Sequence, residues 1–139
     1  MNMNELSFES SLRWVIAGLG AVAVATGLLA LVLGANALPG EEAASPTTES
    51  ALRFYAVFWI AFGLVAMRVA PNAGRETLIV RALAAAMFCG GVARALAWAD
   101  VGRPHAFFVA LTIAELIGGP LLVLWQAKAA ERQAAFRSA

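Results

Sequence analysis

Few side chains in this sequence could do chemistry, and the most telling pair stands where a membrane would make charge expensive. Residues 92–105 read VARALAWADVGRPH, which places Arg94 in one apolar run; Glu115 stands in the next. A charge at the centre of a membrane helix costs about 2.5–3.5 kcal/mol on insertion scales, so such side chains face inward and pair. Arg94 with Glu115 is therefore the expected direct pair, each charge making the other tolerable. A guanidinium fork also suits the carboxylate or phosphate of a ligand. Metal chemistry is not expected, because a single histidine, His105, and no carboxylate pair on a helix do not make a metal site. The only cysteine, Cys89, lies in an apolar run and reads as a buried structural thiol, with no disulfide possible within the chain. The sequence contains no phosphate-binding glycine loop, Walker lysine, CxxC, zinc-protease signature or nucleophile elbow. No cofactor and no enzymatic activity are expected from it.

The elements that must position these groups follow from composition. Of 139 residues, 61% are apolar and 14% charged, and the mean hydropathy is +0.76. A soluble domain would be about half apolar and one quarter charged. The excess predicts one membrane domain over residues 1–139, and a net charge of +1 gives no field for nucleic acid. About 20 apolar residues in a helix cross the hydrocarbon core. Four stretches qualify, at about 12–34, 50–69, 77–98 and 104–125, which predicts an all-α antiparallel four-transmembrane-helix bundle. The breaker NALPG ends the first span, Pro71 and Asn72 end the second, and Pro120 is expected to kink or loosen the fourth. The first span could pass for a signal peptide, but its apolar region is too long, and Glu5 and Glu9 outweigh Arg13 before it.

Lys and Arg set the orientation. Arg13, Arg68, Arg75, Arg81, Lys128, Arg132 and Arg137 fall toward one face, whereas the loop at 35–49 has no Lys or Arg. Both termini are expected in the cytoplasm of a bacterial inner-membrane protein, with the loop at 35–49 outside and a basic tail at 126–139 inside. Trp14, Trp98 and Trp125 fall near span ends, while Trp59 lies deeper and reads as a packing residue.

Depth then sorts the polar residues. At about 1.5 Å per residue, Glu115 lies about 16 Å along the fourth span, and Arg94 about one turn inside the outer end of the third. His105, Phe108, Thr112, Glu115 and Gly119 form one stripe, as do Phe88, Gly91, Arg94 or Ala95, and Trp98. Glu49 and Arg53 are spaced for an i, i+4 ion pair. If the stripes meet, Arg53, Arg94, His105 and Glu115 cluster in the outer half of the bundle.

The stretch ESALRFYAVFWIAFGLVA (residues 49–66), with GGVARALAWADVGRPHAFFVALTIAEL (residues 90–116), resembles a family of small bacterial four-helix membrane proteins known only as a domain of unknown function. More remotely it is similar to the DoxX-like group. The hallmarks are Glu49, Arg53, Phe54 and Tyr55, then Gly91 with Arg94, then Gly102 with Pro104, and Glu115. The resemblance implies four spans and this choice of polar residues, and brings no activity.

Three functional readings stay open. The first is a non-catalytic accessory subunit of a larger membrane assembly, such as an envelope or lipid-transport machine, with Arg94–Glu115 as a structural pair. The second is a binding or transport module whose cluster of Glu49, Arg53, Tyr55, Arg94, His105 and Glu115 receives an amphipathic anionic ligand or lipid headgroup. The third, a membrane redox component, rests on the DoxX-like resemblance alone. Membrane lipids and a protein complex are the expected partners.

Overall fold

The computed structural model describes the backbone of residues 3–40 and 44–137, with side chains from residue 10 onward except at 133, 136 and 137. Residues 41–43 of the expected outer loop and 138–139 of the expected tail lie outside the described residues, as do the side chains of Glu5, Glu9 and Arg137. The chain is all-α: α1 (Met3–Leu33), α2 (Pro46–Val69), α3 (Thr77–Val101) and α4 (Ala106–Arg137). Helix α1 starts well before the expected span because MNELSFESS holds no Pro or Gly to stop it. Helix α4 continues from its apolar part through the basic tail, and Pro120 stands inside it without interrupting the helix.

The helix ends follow local chemistry. Gly34 opens a 3-10 turn, Gly34–Ala37, at φ +61, in the left-handed region where an L side chain is strained. Pro71 lies in a second 3-10 turn, Ala70–Asn72, closed by the Ala73 N–H on the Ala70 carbonyl at 3.3 Å. Gly102, at φ +107, ends α3 by donating its N–H to the Trp98 carbonyl at 3.1 Å.

Four helical stretches of 28, 27, 25 and 27 residues are long and apolar enough to cross a membrane. At about 1.5 Å per residue each exceeds the roughly 30 Å hydrocarbon core. Phe54, Tyr55, Leu78, Leu96, Val101 and Leu124 are exposed, a surface that water would penalise and lipid covers. The chain is a multi-pass membrane protein.

The described chain forms two compact units. One is Ile16–Arg68, which holds most of α1 with α2; the other joins the N-terminal residues up to Val15 to the chain from Val69 onward. Within the first unit the two helices meet backbone to backbone. A Cβ added to Gly20 would stand 2.7 Å from the Gly63 carbonyl oxygen, and one added to Gly63 would stand 2.5 Å from that of Gly20. Trp59 Nε1 donates to Thr26 Oγ1 at 2.9 Å, so its indole packs within the unit.

In the second unit α3 packs along α4. The buried residues of α4 are Thr112, Glu115, Gly119, Leu122, Gln126 and Ala129, in steps of three and four. Val80, Ala84, Met87, Gly91 and Arg94 repeat that spacing on α3, with Met87 and Arg94 half-buried. This alternation is the seam of two helices crossing at a shallow angle. Three seam positions on α4 are polar, and two of them meet an arginine of α3.

Candidate functional site

The seam carries Arg94 and Glu115 to the same level. Arg94 Nε donates to Glu115 Oε2 at 3.0 Å, with the Glu115 side chain 8% exposed and that of Arg94 38% exposed. Glycine makes this approach possible. A Cβ on Gly91 would stand 3.0 Å from Glu115 Cβ and from the Leu116 backbone nitrogen, so α4 lies directly on the α3 backbone here. The Arg94 guanidinium carbon also lies 5.6 Å from the centre of the Phe108 ring, a cation–π contact that keeps the side chain along α4. Thr112 satisfies its own hydroxyl by donating to the Phe108 carbonyl at 2.8 Å.

The ion pair uses one face of the guanidinium. Arginine has five N–H donors, and among the described residues only Nε of Arg94 donates a hydrogen bond. Nη1 and Nη2 thus form a fixed, half-exposed fork beside an aromatic ring, and the carboxylate behind it stops the side chain from swinging away. Chemically the arrangement can accept an oxyanion on the fork. Glu115, nearly buried and already bonded through Oε2, positions Arg94.

The other expected residues take different roles. His105 is exposed at the start of α4; its Nδ1 accepts the Phe107 N–H at 3.2 Å and its carbonyl accepts the Phe108 N–H at 2.9 Å. It caps the helix, and among the described residues it bonds neither to Arg94 nor to Glu115. Glu49 and Arg53 form their i, i+4 pair at 3.3 Å in the other unit. Glu49 Oε1 also accepts the Ala35 N–H at 3.0 Å, and Arg53 Nη1 donates to the Leu31 carbonyl at 2.9 Å. Gly34 lies against the Glu49 carboxylate, leaving no room for a side chain at 34. These contacts tie the end of α1 to the start of α2, and Arg53 Nη1 takes the Leu31 carbonyl, an orphan acceptor of the helix terminus. Tyr55 is exposed and packs edge-on against Phe54 at 5.5 Å. Cys89, expected to be buried, is exposed, on the apolar outer face of α3.

Sequence reasoning missed a second polar station on the α3–α4 seam. Arg81 Nε donates to Gln126 Oε1 at 3.1 Å, and Gln126 Nε2 donates to Thr77 Oγ1 at 2.8 Å. Gln126 has no exposed surface. The signal was present, since Gln126 continues the stripe of Thr112, Glu115, Gly119 and Leu122. Its place beside a basic tail made it read as part of a solvated end.

A family model described as a domain of unknown function (DUF4345) matches residues 11–126, an interval that includes both polar stations. No curated protein and no solved structure matches the chain.

Proposed function

The chain belongs to the DUF4345 family, and from that premise we propose that it is a membrane-embedded binding module for the anionic head of an amphipathic molecule. The carrying observation is the Arg94 fork, with Nε fixed on Glu115 and Nη1 and Nη2 undonated among the described residues. In lipid, an unused charged donor favours an oxyanion partner, and a planar fork suits a carboxylate or phosphate. Phe108, beside the fork, and the apolar outer residues of α3 and α4 give the ligand's tail a surface to lie on. Arg53 has no part in this reading, because its donors tie α2 to the end of α1.

The protein belongs, on this proposal, in a bacterial inner membrane with both termini in the cytoplasm. The support is the distribution of Lys and Arg, dense at one end of the helices and absent from the segment between α1 and α2.

The test uses protein in maltoside micelles titrated with dodecyl phosphate and with dodecanoate. Saturable binding of either that is lost in Arg94→Gln and retained in Arg53→Gln supports the module. Equal binding in the wild type and Arg94→Gln refutes it.

A second reading, an accessory subunit of a larger membrane assembly, is favoured by the small extramembrane mass, since only 73–76 and 102–105 separate the later helical elements. Purification from native membranes in gentle detergent checks it. A stoichiometric protein partner is expected, and migration alone argues against it.

A further inference from the structure

Arg81 and Arg94 both reach residues of the α4 seam and are held in the same way, through Nε. The holders differ in charge. Glu115 neutralises Arg94, whereas Gln126 is neutral, and among the described residues no carboxylate lies within 4.0 Å of Arg81. Gln126 is completely buried and held from its other side by Thr77, which fixes which end of the amide faces the arginine. Its oxygen therefore points at Arg81 as an acceptor without supplying a counter-charge. A buried carboxamide placed like this orients the guanidinium and leaves its charge open.

Arg81 is the fifth residue of α3, about 6 Å along the helix from Thr77, and it is exposed. That depth is the polar edge of a membrane span, where lipid phosphates lie. Among the described residues Nη1 and Nη2 of Arg81 donate no hydrogen bond. We propose that Arg81, oriented by the buried Gln126–Thr77 relay, forms a phosphate-binding site at the end of the α3–α4 pair where α3 begins. The ligand chemistry is a phosphate oxyanion, carried by a phospholipid headgroup or free in the adjoining water.

Glutamine-to-glutamate substitution separates this proposal from a purely structural relay. In Gln126→Glu the shape is kept, Arg81 still meets an acceptor, and the Thr77 hydroxyl can donate instead of accept. Only the open charge disappears. Native mass spectrometry of the full chain, with phosphatidylglycerol or the phosphate-free diacylglycerol added to the micelle, reads the preference for the phosphate-bearing lipid. Arg81→Lys with an unchanged melting temperature serves as the folding control. Preference for phosphatidylglycerol is expected to fall about tenfold in Gln126→Glu and in Arg81→Gln, the scale of one charge-assisted hydrogen bond. Gln126→Glu leaves Arg94 and Glu115 untouched, which keeps this result separate from the Arg94 reading. Inorganic phosphate provides the second arm. Competition by millimolar phosphate assigns the site to a water-borne phosphate, and no competition assigns it to the lipid headgroup. An unchanged lipid preference in Gln126→Glu, or a wild type without preference that also fails to bind inorganic phosphate, overturns the proposal.

Discussion

Gly91 lies directly beneath Glu115: a methyl group on Gly91 would stand 3.0 Å from Glu115 Cβ, whereas one on its neighbour Gly90 would stand 3.8 Å from Glu115 Oε2. At the first distance Glu115 and the α4 backbone must give by a few tenths of an ångström, whereas the second is ordinary contact. The position of the carboxylate, and through it the Arg94 fork, is thus set by the absence of one side chain on the opposite helix.

Gly91→Ala is accordingly expected to cost about 1–3 kcal/mol, the range for forcing extra atoms into a packed contact. Gly90→Ala should be neutral. Thermal unfolding in detergent of the two variants reads the difference. The same contrast holds along the seam. An added Cβ on Gly119 would meet the Ala84 carbonyl oxygen at 2.8 Å, and one on Gly118 only the flexible tip of Met87. Gly119→Ala is expected to destabilise and Gly118→Ala to be tolerated.

Breaking the ion pair from one side leaves a charge without a partner. Arg94→Gln strands Glu115, 8% exposed, and should lower stability by about 3–5 kcal/mol. The double substitution Arg94→Gln with Glu115→Gln should recover most of that loss. A double-mutant cycle on unfolding in detergent measures the coupling, and additive losses contradict the pairing.

Glu115→Gln alone turns this station into a copy of the Arg81–Gln126 station. The acceptor remains and the counter-charge goes, so affinity of the Arg94 fork for dodecyl phosphate should rise on the order of tenfold while stability falls. Titration of the variant beside the wild type checks the sign.

Arg53→Ala removes the bond to the Leu31 carbonyl and the pair with Glu49. The expected loss is about 1 kcal/mol, the net worth of a hydrogen bond at an exposed helix end, with no change in ligand retention. Hydrogen exchange should show faster opening at the end of α1, confined to that region.

The spans were legible because length and apolar content alone decide them, and because α2 ends shortly before Pro71, α3 ends before Gly102 and α4 begins shortly after Pro104. Arg94 with Glu115 was legible because charges in such surroundings need each other. Three things were not. Nothing in the sequence says that Gly20 meets Gly63, since the register between two helices is set by the whole interface. Arg53 read as a ligand-binding group because its spacing from Glu49 was visible and the Leu31 carbonyl it reaches, 22 residues away, was not. Gln126 was missed for a related reason: an uncharged side chain raises no alarm near a basic tail, although its stripe position was plain.

The most direct measurement is the mass-spectrometric identity of small amphipaths that co-purify with the full chain from native membranes, compared between wild type, Arg53→Gln and Arg94→Gln. The account predicts one anionic amphipath retained by the wild type and by Arg53→Gln and absent from Arg94→Gln. A wild type that holds no amphipath beyond those that Arg94→Gln also retains would contradict it.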